Sequence, residues 1–525
     1  MKQLLNFLER PFREYLSLMA AFFILITALE IYADIIDPPY RSMWHWGLTS
    51  ARGIVDSYVL ALIYGALPKF LKKGYLVIVF IILSVFFLID VFAVLNFSRV
   101  FDYDIAAILL GTNPAEMKEF MLTYLSFKII GIIVAFILLF GALYLFSKRK
   151  SCVNEMLGHL ALAGVFLSLL VNLYMPRNFI GIITEKLLVF TYITETPDLK
   201  DYLQHPEMEV IARQPQNVVV IIGESYTKSH ASLYGYEKPT NPYLSELQKD
   251  SLLVVFDHVK SDALSTIPAF KTIMSTFRVV GGDSLQWYEC LTLPETVRQL
   301  SYKTYWISNQ SYKGLCDNIP TRYAELCDSL NFVGNKFSGG RKKDYDEAVI
   351  PPLRTLPKDS LRCFFVHLMG SHNAYELRYP EGFGAFTEAD YPDVPSAHRK
   401  DFATYDNSVL YNDSVVYEIM KLFQEKESIV IYFPDHAEDL YESSADYCGH
   451  GKPKNPVSAA AGSNIPFVVY MSPLYQRIFP EMTERIRAAV HHPYSTGFFL
   501  YTLVDVLGGK FKGNTDVENY SLFRE

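Results

Sequence analysis

Residues 129–147 and 156–176 contain no charged side chain, and each run is long enough to cross a hydrocarbon core that takes roughly 20 residues of helix. A chain carrying two such runs in its first third is expected to be built around a membrane. Residues 15–33 hold only Glu30 and residues 74–98 only Asp90, so both read as further spans with one polar group near an end or facing a bundle interior. The segment 53–68 contains Asp56 and Pro68 and is the least apolar of the set, but the charges around it require a crossing. Lys2, Arg10 and Arg13 precede the first span, Lys69, Lys72 and Lys73 follow the second, and Lys148, Arg149 and Lys150 follow the fourth. Basic loops stay in the cytoplasm, and these three share one side only if five segments cross. An odd number of spans puts everything after Pro176 on the opposite face, which in a bacterium is the periplasm. The first span is too long for a cleaved signal and lacks a small-x-small site, so the anchor is expected to stay attached.

Between the third and fourth spans, residues 99–126 mix Ile108, Leu109, Leu110, Met117, Phe120 and Met121 with polar residues, the pattern of an amphipathic helix on the outer membrane face. Within it, Asn113-Pro114-Ala115-Glu116 supplies an N-cap, a first-position proline and a first-turn acid, which spacing alone reads as capping.

From residue 217 the pattern changes. Val218-Val219-Val220-Ile221-Ile222, Cys363-Phe364-Phe365-Val366, Ile429-Val430-Ile431-Tyr432-Phe433 and Phe467-Val468-Val469-Tyr470 are short apolar runs rich in β-branched and aromatic residues, which predicts parallel strands buried on both faces. Lys303-Thr304-Tyr305-Trp306-Ile307 reads as a fifth strand, with helical crossovers between. In such sheets ligands sit beyond the carboxyl ends of the strands. Three of those ends carry acid or imidazole: Glu224 after the first run, His367 and His372 after the second, Asp435 and His436 after the third. A net charge of −8 leaves no general basic surface for nucleic acid, and six cysteines without a Cys-x-x-Cys pair exclude a cysteine zinc knuckle. A metal here would use oxygen and nitrogen donors, which suit zinc or manganese. His450 lies in a Gly-flanked loop after the third of these strands. Ser261, Ser265 and Thr266 offer hydroxyls just before a helix start; by spacing alone Thr266 is an N-cap, with Pro268 in the first turn.

The ordered set Gly223-Glu224-Ser225, Leu233-Tyr234-Gly235-Tyr236, Thr240-Asn241-Pro242, Trp306 through Asn309, and Lys313-Gly314 continues along the chain. It runs on through His367-Leu368-Met369-Gly370-Ser371-His372, Tyr375, Arg378-Tyr379-Pro380, Tyr405-Asp406-Asn407, Asp435-His436 and His450-Gly451. This set, over nearly the whole chain, resembles the phosphoethanolamine transferases of the alkaline-phosphatase/sulfatase superfamily, the lipid A modifying and mobile colistin-resistance type. The resemblance implies a bundle of five transmembrane helices over 1–176, a linker over 177–216, and an extracytoplasmic sulfatase-like α/β domain with a mainly parallel sheet over 217–525. It implies an inner-membrane enzyme with a periplasmic catalytic domain. That enzyme transfers phosphoethanolamine from phosphatidylethanolamine to lipid A, a core sugar or another glycan, through a covalent threonine intermediate. One zinc, or two, is implied, the first held by Glu224, Asp435, His436 and the nucleophile Thr266. His372 and His450 are implied to meet the phosphoryl group or a second zinc, Asn309 and Lys313 the substrate, and Asn113 and Glu116 the lipid donor.

Three departures bear on this. The nucleophile loop Ser265-Thr266-Ile267-Pro268-Ala269 lacks the family's cysteine, leaving Ser265 and Ser261 as alternatives to Thr266. The usual Asp-His-Gly reads Asp435-His436-Ala437. The family's cysteine pairs are missing as a set, though Cys316 and Cys327 could pair. The rival enzymes are a glycerophosphate transferase and a sulfatase, the latter disfavoured because no Arg follows Pro268 at the expected spacing. The non-enzyme rival is a membrane-tethered binding or signalling protein with a decayed site.

Overall fold

The computed structural model describes residues 2–36, 43–97 and, with short gaps, 199–524, together with isolated helical positions between 131 and 145. Two compact units divide the chain, one N-terminal and one running Thr196–Glu525. The second therefore begins inside the expected linker.

The N-terminal unit contains helices α1 (Lys2–Glu14), α2 (Leu16–Ile36), α3 (Met43–Ala66) and α4 (Lys69–Phe97). Leu18, Ala21, Phe22 and Leu25 of α2 pack on Leu76, Phe80 and Leu83 of α4. Where α2 meets α3, a Cβ built on Gly53 would stand 1.9 Å from Thr27 Cγ2, so only glycine permits that approach, as at small-residue helix crossings generally. The first three expected spans fall on α2, α3 and α4. Among the described residues, however, no helix is long and apolar enough to cross a membrane. The fourth and fifth expected spans, and the 99–126 loop with Asn113 and Glu116, lie wholly or almost wholly outside the described residues.

The second unit is built on a seven-stranded sheet. In chain order its strands are β1 (Asn217–Gly223), β2 (Leu253–Phe256), β3 (Lys303–Ser308), β4 (Ser329–Phe332), β5 (Arg362–His367), β6 (Ser428–Pro434) and β7 (Phe467–Met471). Their spatial order is β2-β7-β6-β1-β5-β3-β4. The five strands from β6 to β4 are mutually parallel. β7, expected to be parallel, instead runs antiparallel to both β6 and β2. Apolar periodicity reports burial on both faces and is blind to direction, which explains the miss. Val218, Val220 and Ile222 point into one apolar layer and Val219 and Ile221 into the other, so the sheet is covered on both sides as a parallel sheet requires.

Outside this sheet, Met208–Val210 pairs antiparallel with Gly509–Phe511. Cys290, Cys327, Cys363 and Cys448 are free thiols, and Cys316, offered above as a partner for Cys327, lies outside the described residues. The Cys327 thiol sits behind the sheet near the Tyr323 carbonyl, and burial raises its pKa.

Candidate active site

β1 and β6 are in parallel register with Gly223 opposite Pro434, so the next residues, Glu224 and Asp435, emerge side by side. The Asp435 N–H donates to the Gly223 carbonyl at 3.1 Å, extending the ladder one residue past the strand. On the other flank Ile222 pairs with His367, and the loop leaving β5 folds back over Glu224. That return depends on Gly370, whose φ is +50° and whose absent Cβ would lie 2.7 Å from both the Glu224 N and O atoms. Glu224, Asp435 and His436 are all buried, and one ligand atom from each lies within 4.8 Å of the others.

Thr266 opens the helix α5 (Thr266–Ile273), and Ser265, with extended backbone, holds the N-cap position. Thr266 is therefore the first helical residue and not the cap, one position from the sequence expectation. Its hydroxyl is not used for capping and stands 3.2 Å from each Glu224 carboxylate oxygen and 3.4 Å from His436 Nε2. The Ser261 hydroxyl instead donates to the Asp435 backbone carbonyl. The Ala269 N–H returns to the Ser265 carbonyl, while Pro268 has no N–H, so the first turn of α5 presents free backbone donors beside Thr266.

The fit to a metal can be tested on these atoms. His436 Nδ1 donates to the Ala437 carbonyl at 2.9 Å, which turns Nε2 toward the carboxylates. From Nε2 the distances are 3.0 Å to Glu224 Oε1, 3.7 Å to Asp435 Oδ2 and 3.4 Å to Thr266 Oγ1. Zinc bonds of about 2.0–2.2 Å in a tetrahedron separate neighbouring donors by roughly 3.4 Å, and these spacings bracket that value. Asp435 Oδ2 is buried with no hydrogen-bond partner, an arrangement that costs free energy unless a cation meets it. The donor set therefore suits zinc.

Electrostatics agree. Burial, followed by the nearby Glu224 charge, pushes Asp435 up to about 8. Burial opposes protonation of His436, but the charges of Asp435 and Glu224 outweigh it and raise the imidazole to about 10. Burial likewise opposes ionisation of Glu224, yet the hydrogen bond and charge of His436 hold its carboxyl well below the usual range. A proton on His436 thus occupies the place a cation would take.

A second cluster adjoins the first. His436, Glu438 and His450 also bring three ligand atoms together, with the His436 and His450 ring centres 4.4 Å apart and those of His372 and His450 6.3 Å apart. Glu438 is fully buried, accepts from Tyr375 OH at 2.7 Å and binds His450 Nδ1 at 2.8 Å. Sequence reasoning missed it, although an acid two residues past the Asp435-His436 pair was a usable signal. His372 is half-buried, desolvation of its ring lowers its pKa to about 4, and its Nδ1 is buried with no partner.

Asn309 lies just past the end of β3. It is buried, and its amide donates to Asp346 Oδ1 at 2.9 Å, the carboxylate that also accepts from the Met369 and Gly370 N–H groups. It thus helps to hold the loop over Glu224. Its neighbour Gln310 is the residue that reaches the cluster, donating to Glu224 Oε2 at 3.3 Å. Lys313 lies outside the described residues. Ala437, in place of the usual glycine, is buried and needs no positive φ, so the change leaves the turn unstrained.

The family model described as Sulfatase matches residues 216–509. The chain is 25% identical over 514 residues, 89% of its length and 86% of the relative's, to phosphoethanolamine transferase EptC of Escherichia coli O18:K1:H7. Among solved structures, the C-terminal periplasmic domain of EptC from Escherichia coli in complex with Zn matches with TM-score 0.54 and 25% identity, over 61% of this chain and 90% of that one. The integral membrane protein lipooligosaccharide phosphoethanolamine transferase A (EptA) from Neisseria meningitidis matches with TM-score 0.66 and 18% identity, over 98% of this chain and 97% of that one.

Proposed function

We propose that this chain, which belongs to the sulfatase family and is a transferase of its phosphoethanolamine branch, moves phosphoethanolamine from phosphatidylethanolamine to a lipid or glycan of the bacterial envelope by way of Thr266. The observation that carries the reading is the Thr266 hydroxyl, free of capping and within 3.4 Å of Glu224 and His436. Glu224, Asp435, His436 and Thr266 would hold a zinc ion, which when bound supplies Lewis acidity to the hydroxyl and charge compensation to phosphoryl oxygens.

The protein's own groups do the rest. Glu224 accepts the Thr266 hydroxyl hydrogen and orients Oγ1, and the hydroxyl proton passes to solvent as Oγ1 forms a bond to phosphorus. The first turn of α5 directs N–H groups at the phosphoryl oxygens. The bond from phosphorus to the diacylglycerol oxygen breaks, leaving the group on Thr266. His450, next to His436, would when doubly protonated give that oxygen its Nε2 proton as it leaves, and His372 would face the phosphoryl group. An acceptor hydroxyl then attacks the same phosphorus and Thr266 departs, regaining its proton.

A membrane position accords with a lipid donor, since confinement to one surface raises its effective concentration. What supports it is the distribution of basic loops, together with outward apolar side chains such as Ile78 (59% exposed) and Leu138 (70% exposed), which water would not favour. An alkaline phosphatase reporter fused after Glu525 is expected to be active outside the cytoplasm; activity of a cytoplasmic reporter alone would reverse the assignment.

The test of the chemistry is mass spectrometry of the full-length protein after exposure to phosphatidylethanolamine vesicles. A phosphoethanolamine group should appear on the Thr266 peptide and be absent from Thr266→Ala, while Thr266→Ser retains it. A modification that persists in Thr266→Ala and maps to Ser265 or Ser261 would move the nucleophile and keep the mechanism.

A further inference from the structure

The two oxygens of Glu224 share the Thr266 hydroxyl, 3.2 Å from each, and otherwise differ in company. Oε1 faces His436 Nε2 at 3.0 Å and accepts from the Ser225 hydroxyl at 3.0 Å. Oε2 accepts from the Gln310 side-chain amide at 3.3 Å. That amide is held from behind, because the same Nε2 also donates to the Leu368 carbonyl at 3.1 Å. Gln310 leaves the end of β3 with its own N–H donating to the Ser308 hydroxyl at 3.0 Å, which sets the direction of departure. The side chain thus spans from one strand end to the loop after another, with the carboxylate between.

We infer that Gln310 is a positioning residue that keeps Glu224 a one-oxygen ligand, and that it thereby selects a four-coordinate metal such as zinc over ions that take more oxygens. The inference rests on the metal reading proposed above. A carboxylate whose second oxygen is held by a fixed donor turns its other oxygen to a cation, and with Asp435, His436 and Thr266 it completes four ligands. Freed of Gln310, Glu224 can turn and chelate through both oxygens, raising the coordination number to five or more. Manganese and magnesium accept that arrangement; zinc in a site of this type prefers four. Partners of this kind, one shell outside the metal, typically contribute 10–100-fold in affinity.

The experiment uses the full chain in detergent, stripped with a chelator and reloaded with cobalt(II), whose visible absorption is intense when four-coordinate and weak when five- or six-coordinate. Zinc and manganese affinities are then measured by competition. Gln310→Leu removes the donor at similar size, and Gln310→Asn keeps an amide too short to reach both partners. Wild type should give the intense spectrum. Both variants should give a weakened one, a zinc affinity at least tenfold lower, and a smaller preference for zinc over manganese. Gln310→Glu tests the charge: it repels Oε2 and should behave like the leucine variant. If wild type binds cobalt but all three variants keep its spectrum and a zinc affinity within twofold, Gln310 does not set the geometry, while the metal site stands. If wild type takes up no metal, both readings fall.

Discussion

Glu438 and His450 close the base of a hairpin: their side chains meet at 2.8 Å, and between them Asp439–Leu440 pairs antiparallel with Cys448–Gly449. A carboxylate accepts only, so His450 Nδ1 carries the proton and Nε2 is left as the working nitrogen. Tyr375 fixes the other oxygen of Glu438. Glu438→Gln should keep the hairpin but allow the opposite tautomer, lowering turnover by about 10–100-fold with thermal unfolding little changed. Equal turnover in the variant would show that His450 needs no such orientation.

Metal uptake should be coupled to pH. Without metal, His436 stays protonated to about 10 and Asp435 to about 8, so at pH 7 a cation must displace roughly one to two protons. Zinc affinity should therefore rise from pH 6 to pH 9. Calorimetry of zinc binding in buffers of different ionisation enthalpy measures the protons released; none released would contradict the charge state described.

Stability of the metal-free protein should fall in acid through His367. Burial, only partly offset by the Glu224 charge, lowers this imidazole to about 4, below its unfolded value of about 6.5. Between those values the unfolded chain binds a proton that the folded one does not. The stability from this residue is thus full above about pH 6.5 and lost as pH falls toward 4, amounting to about 3 kcal/mol. His367→Gln should flatten that part of a urea-denaturation series; an unchanged slope would assign the acid sensitivity elsewhere, with His372 the next candidate.

Gly370→Ala should damage the site from its second layer. The new Cβ meets the Glu224 backbone at 2.7 Å and the φ of +50° disfavours any side chain, a combined cost of about 2 kcal/mol or more. Loss of zinc affinity alongside reduced stability is expected. A variant with normal stability and affinity would mean that the loop shifts without disturbing Glu224.

Much of the site was legible because the chemistry follows buried strands. Glu224 and Asp435-His436 sit directly after apolar runs, and parallel register alone brings such ends together. Thr266 was found as a hydroxyl beside a helix start, though its backbone role was misplaced by one residue, since Ser265 and Thr266 have equal claims to a cap until dihedral angles are known. Other features were not readable. The direction of β7 leaves no trace in a uniformly apolar run. Glu438 becomes significant only when its hairpin closes. Gln310 carried no signal: Asn309, just past the end of β3, turns to Asp346 and the next residue turns to Glu224, a distinction of side-chain direction that spacing does not carry.

The pairing of Met208–Val210 with Gly509–Phe511 has a practical corollary for anyone wishing to produce the catalytic unit alone. Its first and last strands form one small ribbon, so the unit is fastened where its polypeptide enters and leaves. An expression boundary at residue 217, the start of the large sheet, would strip one side of that ribbon and leave Gly509–Phe511 as a bare edge open to pairing with another molecule. A boundary ahead of Leu199, whose side chain is buried in the main core, retains the fastening and should give a monodisperse product where the shorter version aggregates.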